Sequence, residues 1–198
     1  MNTHWKRFPI NHAIGRLSMG ALFFLVLIYG EMASGQHALS QAQRKAQLVY
    51  QIALLVQWSP AAFAATNSNF VVGVLGNDPM LDALNTNTNR VQNRVWEARR
   101  LTNVAEAVKC QMLFVPEAEA KNLSQIFAAL KDASVLTVGE GDDFLRMGGI
   151  IKLWDGTKAN SLTLKLCYEV NLEAARRAKL KLSSQLLRLS VREPRVGF

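Results

Sequence analysis

Few side chains in this sequence have the chemistry that catalysis or metal binding requires. The three histidines, His4, His12 and His37, all lie within the first 37 residues. Zinc sites use neutral imidazoles or clustered thiolates, and a serine nucleophile needs an adjacent base, most often histidine. Every residue after position 37 must work without an imidazole. We therefore expect no catalytic residues, no metal site, no cofactor and no enzyme activity.

Two pairs of carboxylates are the remaining candidates for acid–base chemistry. Asp142 and Asp143 are adjacent in a glycine-containing loop, and Glu117 and Glu119 follow Pro116 at a predicted helix start. Paired carboxylates can act as general acid and base when they flank a substrate bond. Acidic residues in the first turn of a helix more commonly stabilise its positive end. We interpret both pairs as solvated, structural groups.

The two cysteines, Cys110 and Cys167, leave two alternatives open. In an oxidising compartment a pair of cysteines can form a disulfide that persists. The other alternative is two thiols that pack as small apolar groups. A Cys110–Cys167 disulfide remains a hypothesis, because the separation of their Cα atoms determines whether the two cysteines can bond. Cys167 is expected on the polar face of its strand, where it is more accessible than a core cysteine.

Residues 1–35 have the organisation of an export signal. Three basic residues within the first 16 positions precede an uncharged stretch, Leu17–Gly30, and small residues follow up to Gly35. This order predicts a secretory signal peptide that is cleaved after Gly35. An uncleaved membrane anchor is the alternative, but the 14 uncharged residues are fewer than the ~20 that a spanning helix needs. We expect residues 36–198 to form a single domain.

The predicted mature chain is basic. Three of the 23 Lys+Arg and one of the 15 Asp+Glu lie in residues 1–35, so a net charge of +6 remains. The densest groups are Arg99-Arg100, the segment 176–181 and the C-terminal tail. No aromatic residues alternate with these charges, as they do in surfaces that stack nucleic-acid bases. We expect solvated helix faces and no nucleic-acid partner, with an anionic membrane surface as the alternative.

The mature chain alternates helices with apolar strands. Apolar residues at helical spacing predict a first helix that begins after Ser40 and reaches Trp58, where Ser59-Pro60 ends it. Apolar or alternating runs predict strands at 70–75, 91–99, 111–115, 134–138, 150–154 and 162–170. The predicted caps of the later helices are Asp78, Thr102, Asn171 and either Ser183 or Ser184.

This order of elements predicts the fold class. Successive strand–helix units indicate a parallel sheet with right-handed crossovers. The strict alternation from Leu162 to Val170 is typical of an antiparallel edge strand. We therefore predict an α/β fold: a three-layer, Rossmann-like sandwich whose mainly parallel sheet has an antiparallel edge hairpin near the C-terminus. The turn Gly76–Pro79 after the first strand could cradle an anion, although helix capping by Asp78 explains it better.

A series of short motifs runs through the mature chain in a fixed order. They are Lys45-Ala46 through Trp58-Ser59-Pro60, Val74-Leu75-Gly76-Asn77-Asp78-Pro79, Cys110 before Gln111–Val115, Leu136-Thr137-Val138-Gly139-Glu140, Gly148-Gly149-Ile150-Ile151, Tyr168–Arg177 and Leu180–Leu189. In this order and spacing the chain resembles the YfiR-like family of exported proteins, small α/β domains of the Gram-negative periplasm.

The resemblance implies a periplasmic location and a non-enzymatic, regulatory function. Its best-known members bind the periplasmic part of an inner-membrane diguanylate cyclase and repress it, which lowers cyclic di-GMP and biofilm formation. The resemblance also implies a homodimer. Only Cys110 falls where a family cysteine is expected, so no family disulfide pairing is transferred. We expect a structural role for the family-motif residues, which are Trp58, Pro60, Gly76, Asp78, Gly148, Gly149 and Asn171.

The sequence leaves the mode of binding open. Leu186, Leu187 and Leu189 of the last predicted helix form a hypothetical partner-contact surface, although leucines at helical spacing also suit a core. A periplasmic small-ligand-binding sensor is the alternative function, because ligands bind at the strand ends of parallel sheets. An unrecognised hydrolase is disfavoured by the distribution of histidine.

Overall fold

The computed structural model describes residues 41–86, 90–155 and 166–190. The chain divides into two units, Met1–Ala38 and Leu39–Phe198, and all described residues belong to the second. The predicted signal peptide and Ser40 therefore lie outside the described residues, as do most of the hairpin loop and the start of the returning strand. None of the described helices is long and apolar enough to cross a bilayer.

The described residues form short helices and strands in alternation. The α-helices are α1 (41–54), α2 (Met80–Asn85), α3 (Leu123–Ala129), α4 (Leu172–Arg177) and α5 (Ser184–Leu189). The strands are β1 (Val56–Gln57), β2 (Phe70–Leu75), β3 (Arg90–Val91), β4 (Arg94–Leu101), β5 (Met112–Val115), β6 (Leu136–Gly139), β7 (Ile151–Asp155), β8 (Leu166–Val170) and β9 (Lys181–Leu182). Three 3-10 helices cover Pro60–Ala62, Val104–Lys109 and Glu117–Asn122.

The main sheet has the strand order β3-β4-β2-β5-β6-β7-β8. The five strands from β4 to β7 in this order are mutually parallel, and β3 and β8 pair antiparallel at the two edges. β1 and β9 form a separate two-stranded sheet. The structure thus confirms the predicted parallel sheet and the antiparallel hairpin β7–β8 near the C-terminus.

Helices cover both faces of the main sheet. On one face Met112 and Phe114 of β5 pack in a core that also contains residues of α1, α2, α4 and α5. On the other face Leu113 and Val115 pack with residues of α3 and of the 3-10 helix Val104–Lys109. Because strand side chains alternate between faces, a sheet covered on both sides has continuous apolar runs. The three-layer prediction is confirmed.

The first helix is shorter than the sequence predicts. It ends at residue 54 instead of Trp58, because Val56 leaves the helix and pairs with Leu182 of β9. The backbone N–H of Ser183 donates to the carbonyl of Leu55 at 2.9 Å and extends this pairing. The pairing partners lie more than 120 residues away, so the local apolar spacing around Val56 does not indicate the strand.

The run predicted as one strand at 91–99 is a β-hairpin. Gln92 and Asn93 have φ values of 50° and 64° and form the two-residue turn between β3 and β4. Positive φ at both central residues is required for a type I′ hairpin turn. Such turns usually contain glycine, and this one does not. The sequence pattern therefore did not indicate a turn here.

Side-chain caps define most of the predicted helix starts. Asn171 Oδ1 accepts from Ala174 N at 3.0 Å, Ser183 Oγ from Leu186 N at 3.1 Å, and Asp78 Oδ1 from Met80 N at 2.8 Å. The cap predicted at Thr102 is instead Asn103, whose Oδ1 accepts from Ala105 N. The element that Asn103 caps is the 3-10 helix Val104–Lys109.

Candidate functional site

Asn171 fixes the junction between β8 and α4. Besides capping α4 through Oδ1, it donates from Nδ2 to the carbonyl of Leu145 at 3.0 Å. Its backbone N–H donates to the carbonyl of Ile150 at 2.8 Å. One side chain therefore joins the C-terminal helices to the turn that precedes β7. These contacts agree with a structural role for this family-motif residue.

The same turn holds a buried phenylalanine between two glycines. A Cβ at Gly139 or at Gly149 would lie 2.7 Å from Phe144 Cζ, and closer still to at least one other ring carbon. Gly148 has a φ of +117°, which L-residues rarely adopt. The edge of the Phe127 ring packs against Phe144 at a centroid distance of 5.5 Å. The glycines thus leave the space that the Phe144 ring occupies.

The other family-motif residues lie at opposite ends of the parallel strands. Gly76 and Asp78 follow the carboxyl end of β2, where Gly76 has a φ of +71° and faces Glu119 Oε1. Trp58 and Pro60 lie near the start of β5, where Trp58 Nε1 donates to the carbonyl of Gln111 at 3.0 Å. These residues therefore do not converge on one site, and the carboxylate beside Gly76 disfavours an anion there.

Of the two acidic pairs, Asp142 and Asp143 form ion pairs with cations, whereas Glu119 accepts a hydrogen bond from Asn122 Nδ2 at 2.7 Å. Asp142 Oδ1 lies 3.2 Å from Lys152 Nζ, and Asp143 pairs with Arg146 at 2.8 Å. A further ion pair joins Lys45 of α1 to Glu140 after β6. Within the described ranges, no three residues of the types His, Cys, Asp and Glu are grouped to hold a metal ion.

Cys110 and Cys167 do not form the disulfide that the sequence left open. β5 and β8 are separated by β6 and β7, so at ~4.8 Å per strand they lie about 14 Å apart. A disulfide requires Cα atoms within about 7 Å. Cys110 also precedes the first residue of β5, whereas Cys167 pairs with Trp154 near the end of β7. Both residues are buried, so the expectation of an accessible Cys167 is wrong as well.

Cys110 forms part of the wall of a cavity of about 450 Å³. The residue is only 4% exposed, and burial raises the pKa of the Cys110 thiol from its ordinary value to about 11. The nearby Arg99 guanidinium opposes this shift without cancelling it. Because the thiolate is the reactive form, Cys110 remains a protonated, weakly reactive thiol at neutral pH.

This pKa predicts a dependence of stability on pH. The pKa of Cys110 is raised in the folded state, so folding holds the proton more tightly than the unfolded chain does. The stabilisation is complete below pH 9 and is lost as the pH rises toward 11. In urea unfolding, we expect the wild type to lose on the order of 2 kcal/mol more than Cys110→Ala between pH 8.5 and 11. Equal losses would contradict the assigned pKa.

The hypothetical contact residues of α5 differ in exposure. Leu186 is fully buried, and its carbonyl accepts from Tyr168 Oη at 2.8 Å. It is therefore a core residue, and its assignment as a partner contact is wrong. Leu187 is half-buried, and Leu189 is 57% exposed. The structure adds Leu172, the first residue of α4, which is 44% exposed. No signal in the sequence indicated this exposure, because it depends on how α4 packs against the core.

Exposed cations surround these leucines in the sequence. They are Arg176, Arg177, Lys179, Lys181 and Arg188. Glu173 pairs with Arg176 at 2.9 Å, and it is the only acidic residue between 172 and 189. We call residues 172–189 the C-terminal basic segment. Exposed leucines among cations suit contact with an apolar, acidic protein surface.

Similar solved structures were found, and the first of the two below shows the fold. A conserved domain protein from Vibrio cholerae O1 biovar El Tor matches with a TM-score of 0.50 at 11% identity, over 76% of this chain and 59% of its own. The ABC domain from Streptococcus pneumonia, solved in complex with L-Trp, matches with a TM-score of 0.45 at 9% identity, over 75% and 59%. This chain thus spans 59% of the length of each protein.

Comparison with families and with curated proteins gave different results. A search of curated protein sequences found no match. A family model described as YfiR/HmsC-like matches residues 42–191, a range that includes every described helix and strand except the first residue of α1. Proteins of this family are regulatory rather than catalytic and are in general periplasmic. On this match over three quarters of its length, the chain belongs to the YfiR/HmsC-like family.

Proposed function

We propose that residues 1–35 are a signal peptide that directs export and is then cleaved. The mature chain represses an inner-membrane diguanylate cyclase by binding its periplasmic part. Repression lowers cyclic di-GMP and thereby biofilm formation. The observation that carries the proposal is the family match over residues 42–191. The protein acts as a non-enzymatic binding partner, and the homodimer implied by the family resemblance is part of the same proposal.

The C-terminal basic segment supports this proposal as the contact surface. Leu189 places an apolar side chain in solvent beside the exposed Arg188. Burying an exposed leucine against a partner contributes about 1.5–3 kcal/mol, and the surrounding cations favour association with an acidic surface. Both contributions act on binding and not on the fold, because neither side chain is part of the core.

The test is cellular cyclic di-GMP in a host strain that expresses the cyclase. Deletion of the gene is expected to raise cyclic di-GMP, and restoration of the wild-type gene is expected to lower it again. Restoration with Leu189→Glu should fail although the protein reaches wild-type levels. The matched control is Val95→Glu, which changes a comparably exposed side chain on β4, near the opposite edge of the sheet. It should restore repression.

Two results would count against the proposal at different levels. Unchanged cyclic di-GMP after deletion would exclude repression of the cyclase. Full restoration by Leu189→Glu would leave repression intact and exclude this leucine from the contact surface.

A further inference from the structure

A second, smaller cavity lies between the ends of α3 and α4. Its volume is about 150 Å³. Phe127 and Leu130 line it on the α3 side, and Val135 lines it at the start of β6. All three belong to or pack against the core on this face of the sheet. The interior of the cavity is therefore largely apolar.

Small residues keep this cavity open. On the α4 side it is lined by Ala174 and Ala178, and Ala133 lines it between α3 and β6. Gly148 contributes backbone only, at a φ of +117° that disfavours any side chain. Close packing normally fills such spaces in a core. Here the residues that could fill it are alanine and glycine.

The charges around this cavity all have one sign. Lys131 and Arg177 line it, and no carboxylate does. Neither cation forms an ion pair with a carboxylate in the described part of the chain, whereas the adjacent Arg176 is held by Glu173. Asp132 lines the larger cavity, which shares Lys131 and Ala133 with this one, whereas Arg177 lines the smaller cavity alone. Two cations beside an apolar cavity produce a positive potential that attracts an anion.

From this arrangement we infer that the cavity binds a small amphipathic monocarboxylate, aromatic or short-chain aliphatic. Lys131 and Arg177 bind its carboxylate, and its apolar body packs against the Phe127 side of the cavity. The volume equals that of about five water molecules at ~30 Å³ each. It suits a single ring or a short chain and is too small for a nucleotide or a phospholipid. The inference does not depend on the proposed partner.

The test uses benzoate as the probe and protein purified from the periplasm of cells that express the full chain. Isothermal titration should detect benzoate with a Kd between about 10 μM and 1 mM, the range expected for a ligand of nine non-hydrogen atoms. Benzamide has the same shape without the charge, and inorganic phosphate has the charge without the ring. Neither should bind in this range. Equal binding of either one, or no benzoate binding, would overturn the inference.

Variants of the lining residues locate the site. Lys131→Met and Arg177→Met should each weaken benzoate binding about tenfold, as expected for the loss of one charge-assisted hydrogen bond. Ala178→Leu should abolish binding by filling this cavity, which Ala178 lines without lining the larger one, and it leaves both charges in place. The matched control, Arg176→Met, removes a neighbouring cation that does not line the cavity. If Arg176→Met weakens binding as much as Arg177→Met, the site is a diffuse charge effect and the inference fails.

Discussion

Replacing Gly149 with alanine is expected to lower the free energy of unfolding by about 3 kcal/mol. The new methyl group would lie 2.7 Å from Phe144 Cζ and closer to two neighbouring ring carbons. Phe144 is fully buried, and its opposite edge lies against Gly139, so the ring has no space into which it can move. Overpacking of this kind costs about 1–3 kcal/mol, and more where the neighbours cannot yield. Urea unfolding at neutral pH measures the loss.

A second substitution separates this clash from other causes. Phe144→Leu shortens the side chain and should itself cost about 1–3 kcal/mol through the cavity that it leaves. In the presence of Phe144→Leu, Gly149→Ala should cost at least 1 kcal/mol less than it does alone. The matched control is Gly148→Ala, whose cost arises from its φ of +117°. That cost should remain the same with or without Phe144→Leu. If Gly149→Ala costs the same with and without Phe144→Leu, a clash with the Phe144 ring is excluded.

The sequence predicted the parts of this fold that depend on local chemistry. The strands buried on both faces appear as short apolar runs, as at β2 and β5, because helices cover both sides of the sheet. Helix caps such as Asn171 and Ser183 were also predicted, since a cap contacts a backbone N–H only two or three residues away. In these cases the interaction that determines the structure lies within a few residues of the signal.

The sequence pattern did not predict features that depend on contacts between separate segments of the chain. Val56 leaves α1 only because β9 pairs with it. The distance between Cys110 and Cys167 follows from the strand order, which the spacing of two cysteines does not contain. The hairpin at Gln92 lacks the glycine that usually indicates a type I′ turn. Two of these errors concern strands, β1 and β3, that the sequence pattern did not indicate. The third concerns the relative placement of elements that were predicted.

In the candidate contact surface, too, the element was predictable from local sequence but its orientation was not. A stretch of leucines at helical spacing predicts an amphipathic helix, and α5 is one. The sequence could not tell which leucine faces the core, because the answer depends on the packing of α5 beside Tyr168 of β8. Leu186 is buried there and Leu189 is exposed. Of the three leucines, only Leu189 is therefore a strong candidate for partner contact.

Gln111 is the residue whose role was least visible in the sequence, and its replacement by leucine should cost about 3 kcal/mol. Its side chain is buried and accepts from Val71 N at 2.8 Å while it donates to the carbonyl of Ala62 at 2.7 Å. Leucine has a similar volume but leaves both backbone groups unpaired. A buried group left unpaired costs about 1–3 kcal/mol; because both of these hydrogen bonds are only partly buried, the combined cost lies toward the lower end for two groups. Urea unfolding of Gln111→Leu measures the combined cost.

Gln111→Glu tests the same geometry through its pH dependence. A glutamate can still accept from Val71 N, but its second oxygen would face the Ala62 carbonyl, which repels a negative charge. Protonation restores a donor at that position, so the pKa of the new carboxyl should be raised and the variant should be less destabilised at pH 4 than at pH 7. The matched controls, Gln51→Leu and Gln51→Glu, change an exposed residue of α1 and should stay within about 0.5 kcal/mol of the wild type. A destabilisation by Gln111→Glu that is the same at both pH values would contradict the donor role of Gln111 toward Ala62.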